Sequence, residues 1–273
     1  MKKSMCTITT LICLMIWRGG LAFGDDAGNS ACAGLLTHAA LKVALQAVVD
    51  AGGNGGLSND MWATVVNRDG VVCVVAFSGG NRGEQWPGSR VISAQKANTA
   101  NAFSLPPGAG GAFPGLPLST ANLYSAVQSG GTLFGLQHSN PVDSHVAYGG
   151  NAAHYGQPND PQVGKKIGGV NVFGGGLALY TSAGRLVGGL GVSGDTSCTD
   201  HIVAWKVRHA LNLDNVPTGV NAGTDNIIHD VVNDPVTGHT SLSPSGFGHP
   251  TCDATATAVA NGLPNTHPVG PTP

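Results

Sequence analysis

An antiparallel sheet covered by helices, an α+β layer architecture with long Gly/Pro-rich loops, is the fold class the sequence predicts. Three observations carry it. Two hairpin patterns, over residues 62–77 and 177–192, each join β-rich runs through a short polar turn. Stretches of helical apolar spacing surround them, giving the order helix, hairpin, helix, helix, loop, hairpin, helix. Glycine is abundant, 42 of 273 residues, which suits turns and glycine-bearing strands better than a helical bundle.

The chain begins with a pattern of its own. Lys2 and Lys3 precede an apolar run from Ile8 to Trp17, and Ala22-Phe23-Gly24 supplies the small residues of a cleavage site. The run is shorter than the ~20 residues needed to span a bilayer, and Arg18 follows it. Residues 1–24 are therefore expected to be a cleaved signal peptide, and the protein to be periplasmic or secreted. Residues 25–215 form the expected main domain, and 216–273 a loop-rich C-terminal extension.

Each element has a local reason. From Ala31 to Val49, Leu35, Leu36, Ala39, Val43 and Ala47 recur at helical spacing, and Ala51-Gly-Gly-Asn-Gly-Gly56 ends that helix. Trp62–Val66 and Val71–Phe77 are joined by Asn67-Arg-Asp-Gly70, a hairpin turn signal. Ser89 can cap a helix through Val91, Ala94 and Ala97, and Ser119 or Thr120 another through Leu123–Val127. Residues 104–117 and 138–169 read as long loops. Leu177–Tyr180 and Arg185–Val192 make the second hairpin. Its small residues, Gly188-Gly-Leu-Gly191, mark a strand that something approaches closely. It empties through Ser193-Gly194 into a helix over Ile202–Leu213. Strands this apolar imply that the sheet is covered on more than one side, as by a second subunit. Beyond Leu213 the chain reads as loop, and Pro264–Pro273 as disordered.

Charge excludes two classes. With 13 Lys and Arg against 15 Asp and Glu, no basic face exists for nucleic acid or for polybasic membrane attachment. Cys32, Cys73, Cys198 and Cys252 remain after the leader, enough for two bridges in three connectivities. Cys198–Cys252 is favoured, because it would tie the extension to the domain. Cys32–Cys73 is the remainder, although Cys73 in its apolar strand also fits a buried free thiol.

Catalytic motifs fare poorly. Gly189-x-Gly191-x-x-Gly194 matches a dinucleotide fingerprint, but its first glycines lie in an antiparallel hairpin rather than a parallel βαβ unit. No Gly-x-Ser-x-Gly elbow occurs. Ser193 and His201 lack an assignable third member, and Ser193 reads as a turn residue with Ser197 or Thr199 as a helix cap. No two histidines have the i, i+4 spacing that lets a helix face share a metal. His201 and His209 are two turns apart, ~12 Å, with Trp205 between them. His138, His145 and His154 could converge only through loops, and the bland reading of any one histidine is structural.

A family resemblance adds what motifs do not. Asn67-Arg-Asp-Gly-Val-Val-Cys-Val-Val-Ala-Phe77, then Arg90-Val-Ile-Ser-Ala-Gln-Lys-Ala-Asn-Thr-Ala100, resembles the haem-degrading HbpS- and GlcG-like family. Gly175-Gly-Leu-Ala-Leu-Tyr180, Val187–Gly194 and Asp200 are similar to its closing hairpin and helix. Asn101-Ala-Phe-Ser104 and Leu133–Gln137 resemble a longer exported subgroup of haem-binding proteins. The likeness spans roughly residues 35–213. It departs at Asn67-Arg68-Asp69, where the family usually has Asp-Ala-Gly. The resemblance implies a profilin-like domain, homo-oligomers, haem binding outside the cytoplasm and, in some relatives, haem breakdown or a membrane sensor partner. It also implies that Lys96, Ala97, Thr99 and Ala100 line or buttress the pocket.

Without Cys-x-x-Cys-His, the haem would be non-covalent, and one proximal imidazole suffices. His38 is the leading ligand and His201 the second, with Arg90, Lys96, Lys206 or Lys165-Lys166 as cations for the propionates. Whether haem turns over is not legible. Two other readings stand beside this one: a metal-dependent hydrolase using loop histidines, and a signalling or structural oligomer of the same fold without haem.

Overall fold

The computed structural model describes residues 30–112, 114–232 and 243–270. The expected signal peptide lies outside them. Helix α1 is His38–Asp50, preceded by a 3-10 turn at Ser30–Cys32. Strands β1 (Trp62–Asn67) and β2 (Val72–Phe77) form the first hairpin, and helix α2 (Ser89–Ala102) follows. The short helices α3 (Tyr124–Val127) and α4 (Ser144–Tyr148) come next. Strands β3 (Gly176–Tyr180) and β4 (Leu186–Ser193) lead to α5 (Ser197–Ala210) and α6 (Ala254–Thr266). The four strands pair antiparallel in the order β2-β1-β4-β3, so β1 and β4 are central. The α+β class holds.

Turn chemistry sets the first hairpin. Asn67 Oδ1 accepts from the amides of Asp69 and Val71, each at 2.9 Å, while Gly70 takes a positive φ of 74° that L side chains resist. The strands alternate between faces. Ala63, Val65, Leu177, Leu179, Leu190 and Val192 pack with α1 and α5, whereas Trp62, Val66, Val72, Val75 and Phe77 pack with α2. Apolar residues on both faces therefore reflect cover from this chain's own helices.

The glycines of β4 lie under α2. A Cβ on Gly191 would stand 1.9 Å from the Ser93 carbonyl oxygen, and one on Gly189 2.3 Å from that of Ala97. The close approach expected from the small residues is that of a helix backbone, not of a nucleotide.

Three local expectations change. Gly88 rather than Ser89 is the N-cap of α2, and the Ser89 hydroxyl instead meets Ser193 Oγ at 3.2 Å. Residues 138–169 contain α4, capped by Asp143 accepting from the His145 and Val146 amides. The largest difference is the extension, where Asp253 caps α6 and Ala256, Ala260 and Leu263 are fully buried. Thr, Gly and an internal Pro264 give this segment poor helix propensity. Small residues at i, i+4 and i+7 nevertheless fit it closely against α5, and tertiary packing overrides propensity. Residues 264–270 are thus ordered rather than disordered, and 271–273 lie outside the described residues.

Both disulfides form. Cys32–Cys73 ties the segment before α1 to β2, which settles Cys73 as bonded rather than free. Cys198–Cys252 ties α5 to the chain leading into α6, the favoured tether. Trp205 Nε1 donates to the His267 carbonyl at 2.8 Å, and Asn226 Nδ2 to that of Ala260 at 2.9 Å. No helix among the described residues is long and apolar enough to cross a membrane.

Candidate functional site

Where α2, the end of β4 and the start of α5 meet, a cleft of about 290 Å³ opens. Trp86, Ile92 and Phe173 give it apolar walls, and Trp86 and Phe173 are about half exposed. Its floor is a buried ion pair, Lys96 Nζ to Asp200 Oδ2 at 2.6 Å. The other Asp200 oxygen accepts from the Gly194 amide at 3.0 Å and the Asp195 amide at 2.9 Å. Lys96 also donates to the Val192 carbonyl. Burial pushes the Asp200 carboxyl up to about 6 and the Lys96 ammonium down, each opposed by the partner's charge.

Ser193 and Ser197 complete the polar lining with Ser89 and Asp195. Thr196 is the N-cap of α5, its side chain accepting from the Thr199 amide. Neither of the expected caps, Ser197 and Thr199, fills that place: Ser197 is the first helical residue, and it lines the cleft. Ser197 Oγ accepts from the Gly174 amide at 2.6 Å and lies 2.7 Å from His249 Nε2. His249 is 3% exposed, and its Nδ1 lies 2.7 Å from the Pro250 carbonyl oxygen. Burial, more than any neighbouring charge, lowers its pKa to about 4.

The residues singled out in sequence scatter. Of His38, His201, Arg90, Lys96 and Thr99, only Lys96 lines the cleft. Arg90 is bound through Nε and Nη2 to Asp160, donates to the Ala147 carbonyl and covers the Tyr155 ring at 3.7 Å, all in the interior. Thr99 Oγ1 accepts from the Asn171 amide and donates to the Gln95 carbonyl, so it holds a loop. His201 is fully buried under residues 225–227, with Nε2 3.1 Å from Asn226 Oδ1, and burial depresses its pKa to about 3. His38 opens α1, half-buried, its Nε2 2.8 Å from the Gly156 carbonyl oxygen. One turn on, Lys42 Nζ lies 5.0 Å from the centre of the Phe77 ring.

His138, His145 and His154 are exposed and do not cluster among the described residues. Cys198, His229 and His249 do bring ligand atoms within 4.8 Å of one another. The Cys198 sulfur is committed to its disulfide, so it offers no thiolate. Sequence reasoning missed the Ser197–His249 pair because 52 residues separate its members.

A family described as haem degrading protein HbpS-like matches residues 36–208. Similar solved structures include a PduOC–heme complex, at 22% identity and TM-score 0.42, covering 64% of this chain and 91% of that one. The Klebsiella pneumoniae protein ORFY has 23% identity and TM-score 0.40 over 64% of this chain and 90% of its own. HbpS has 20% identity and TM-score 0.38 over 63% and 86%. No curated protein matches.

Proposed function

Because the chain belongs to the HbpS-like family of haem degrading proteins, we propose that it is an exported protein that binds one haem non-covalently, with His38 as the residue that would hold its iron. The observation that carries His38 is its hydrogen bond to the Gly156 carbonyl. A carbonyl only accepts, so Nε2 carries the proton and Nδ1 keeps its lone pair. Metal-ligating imidazoles are commonly oriented by such a bond on the opposite nitrogen. Lys42 stands on the same helix as a cation for a propionate. His201 fits less well, because iron could reach it only after residues 225–227 moved away. Arg90 and Lys96 are each held by a buried carboxylate, which leaves little of their charge for a propionate. Bound haem would supply redox-active iron; the chain's part is to ligate it and to orient it.

Storage, sensing and slow degradation are the roles open to such a site. Two disulfides suit an oxidising compartment and hence export. Half-exposed Trp86 and Phe173 support self-association into a homo-oligomer or contact with a membrane sensor. Haemin titration of the mature protein tests the central claim. The expected outcome is a saturable Soret band at one haem per chain, lost or weakened at least tenfold in His38→Ala and retained in His201→Gln. A folded protein that gives no band, or a band indifferent to His38, would overturn it.

A further inference from the structure

We propose that Ser197 and His249 form a nucleophile–base pair that lets the cleft accept the acyl group of a small, uncharged carboxylic ester. Three features of the geometry support it, none of them involving haem. Ser197 lines the cleft, and its Oγ lies 2.7 Å from His249 Nε2, within proton-transfer reach. The Pro250 carbonyl at 2.7 Å fixes the proton on Nδ1, so the Nε2 lone pair faces the hydroxyl. This carbonyl fills the orienting role that a carboxylate has in a triad. The Gly174 amide donates to Ser197 Oγ at 2.6 Å, which holds the hydroxyl in place with its own proton left for His249, and Ser197 begins the 14-residue helix α5, whose positive end favours negative charge beside it.

The chemistry balances as acyl transfer to water. Ser197 Oγ bonds to the ester carbonyl carbon while its proton passes to His249 Nε2. The C–O bond to the alcohol breaks, and the leaving oxygen takes that proton. Water then attacks the acyl-serine, gives its proton to Nε2, and releases the acid as Oγ is reprotonated. Trp86, Ile92 and Phe173 offer an apolar seat for a short acyl or alkyl chain. The volume, about 290 Å³, lies at the lower end for ligand pockets, ~300 Å³. A base whose pKa is lowered to about 4 is neutral at pH 7 but weak, so turnover should be slow and covalent capture is the better readout.

The test is labelling of the full mature chain, disulfides intact, with a small alkyl fluorophosphonate, followed by peptide mapping. Release of p-nitrophenol from p-nitrophenyl acetate is followed in parallel. One phosphonyl group on Ser197 of the wild-type protein is expected. The labelling rate should fall about a hundredfold in His249→Gln, and the ester burst should vanish in Ser197→Ala. Labelling at any other serine, no labelling of the folded wild type, or a rate unchanged in His249→Gln would each overturn the proposal. The wild-type map decides even if a variant fails to fold, and none of these outcomes bears on haem binding.

Discussion

The two faces of the sheet are packed by opposite means. Under α2, contact is made by removing atoms: Gly189 and Gly191 of β4 let the helix backbone settle where no Cβ fits. Small hydroxyls fill what remains, with Thr64 Oγ1 2.8 Å from Ser93 Oγ. On the other face, Leu41 and Leu45 of α1, Ile202 and Trp205 of α5 and Leu263 of α6 fill space with bulk. The subtractive face keeps carbonyls and short polar groups near one another. It is there, at the seam with α5, that Lys96 and Asp200 can be buried with every oxygen bonded. A bulky face gives stability, and a backbone-to-backbone face gives a rigid polar seam.

That contrast predicts an inversion of the usual order of core substitutions. Gly191→Ala adds one carbon against backbone at 1.9 Å, where neither the helix nor the strand can yield locally. It should cost about 3 kcal/mol or more, read as a lower urea midpoint at unchanged slope. A loss under about 1 kcal/mol would mean that α2 slides along the sheet. Leu263→Ala removes three carbons from a fully buried site on the bulky face. Because α6 lies near the chain end and can settle into the gap, about 2 kcal/mol is expected. If the leucine variant proves the more damaging, the distinction between the faces fails.

How much of this could be read in the sequence depends on the range of the interaction. Both hairpins, their turn at Asn67–Gly70 and the close approach at Gly188–Gly191 are local patterns, and each took its expected place. The pairing of Cys198 with Cys252 followed from the need to tether the extension. Helix α6 was invisible because its signal is three small or apolar residues that matter only against α5. Nor could spacing show that Arg90 meets Asp160, seventy residues away, which removes it from the pool of free cations. Ser197 and Thr199 read as caps because Thr196, the N-cap of α5, cannot be told from its hydroxyl-bearing neighbours by sequence alone. Of the residues expected at the site, Lys96 alone lines the cleft, and the sequence left the partners of every histidine open.

Proton binding distinguishes the seam from the groups buried behind it, because the two titrate with opposite sign. His201 and His249 have folded pKa values of about 3 and about 4, below the 6.5 of the unfolded chain. Their contribution is complete above pH 6.5 and is lost as pH falls, since the unfolded state binds protons that the fold refuses. Asp200 runs the other way. Its carboxyl is raised from 3.8 to about 6, so its contribution is complete below 3.8 and is lost as pH rises through 6. Between about pH 6 and pH 4 one of these two histidines cancels the aspartate and one remains, with His229 and His267, whose pKa values burial also lowers, acting in the same direction. Stability should therefore fall by at least roughly 1.4 kcal/mol for each unit of acidification, measured by urea unfolding at pH 5.8, 5.0 and 4.2. His249→Gln should lower that slope by roughly 1.4 kcal/mol per unit, because one imidazole that the fold keeps neutral is gone. A slope unchanged by the substitution would mean that the imidazole beside Ser197 is already protonated in the folded protein.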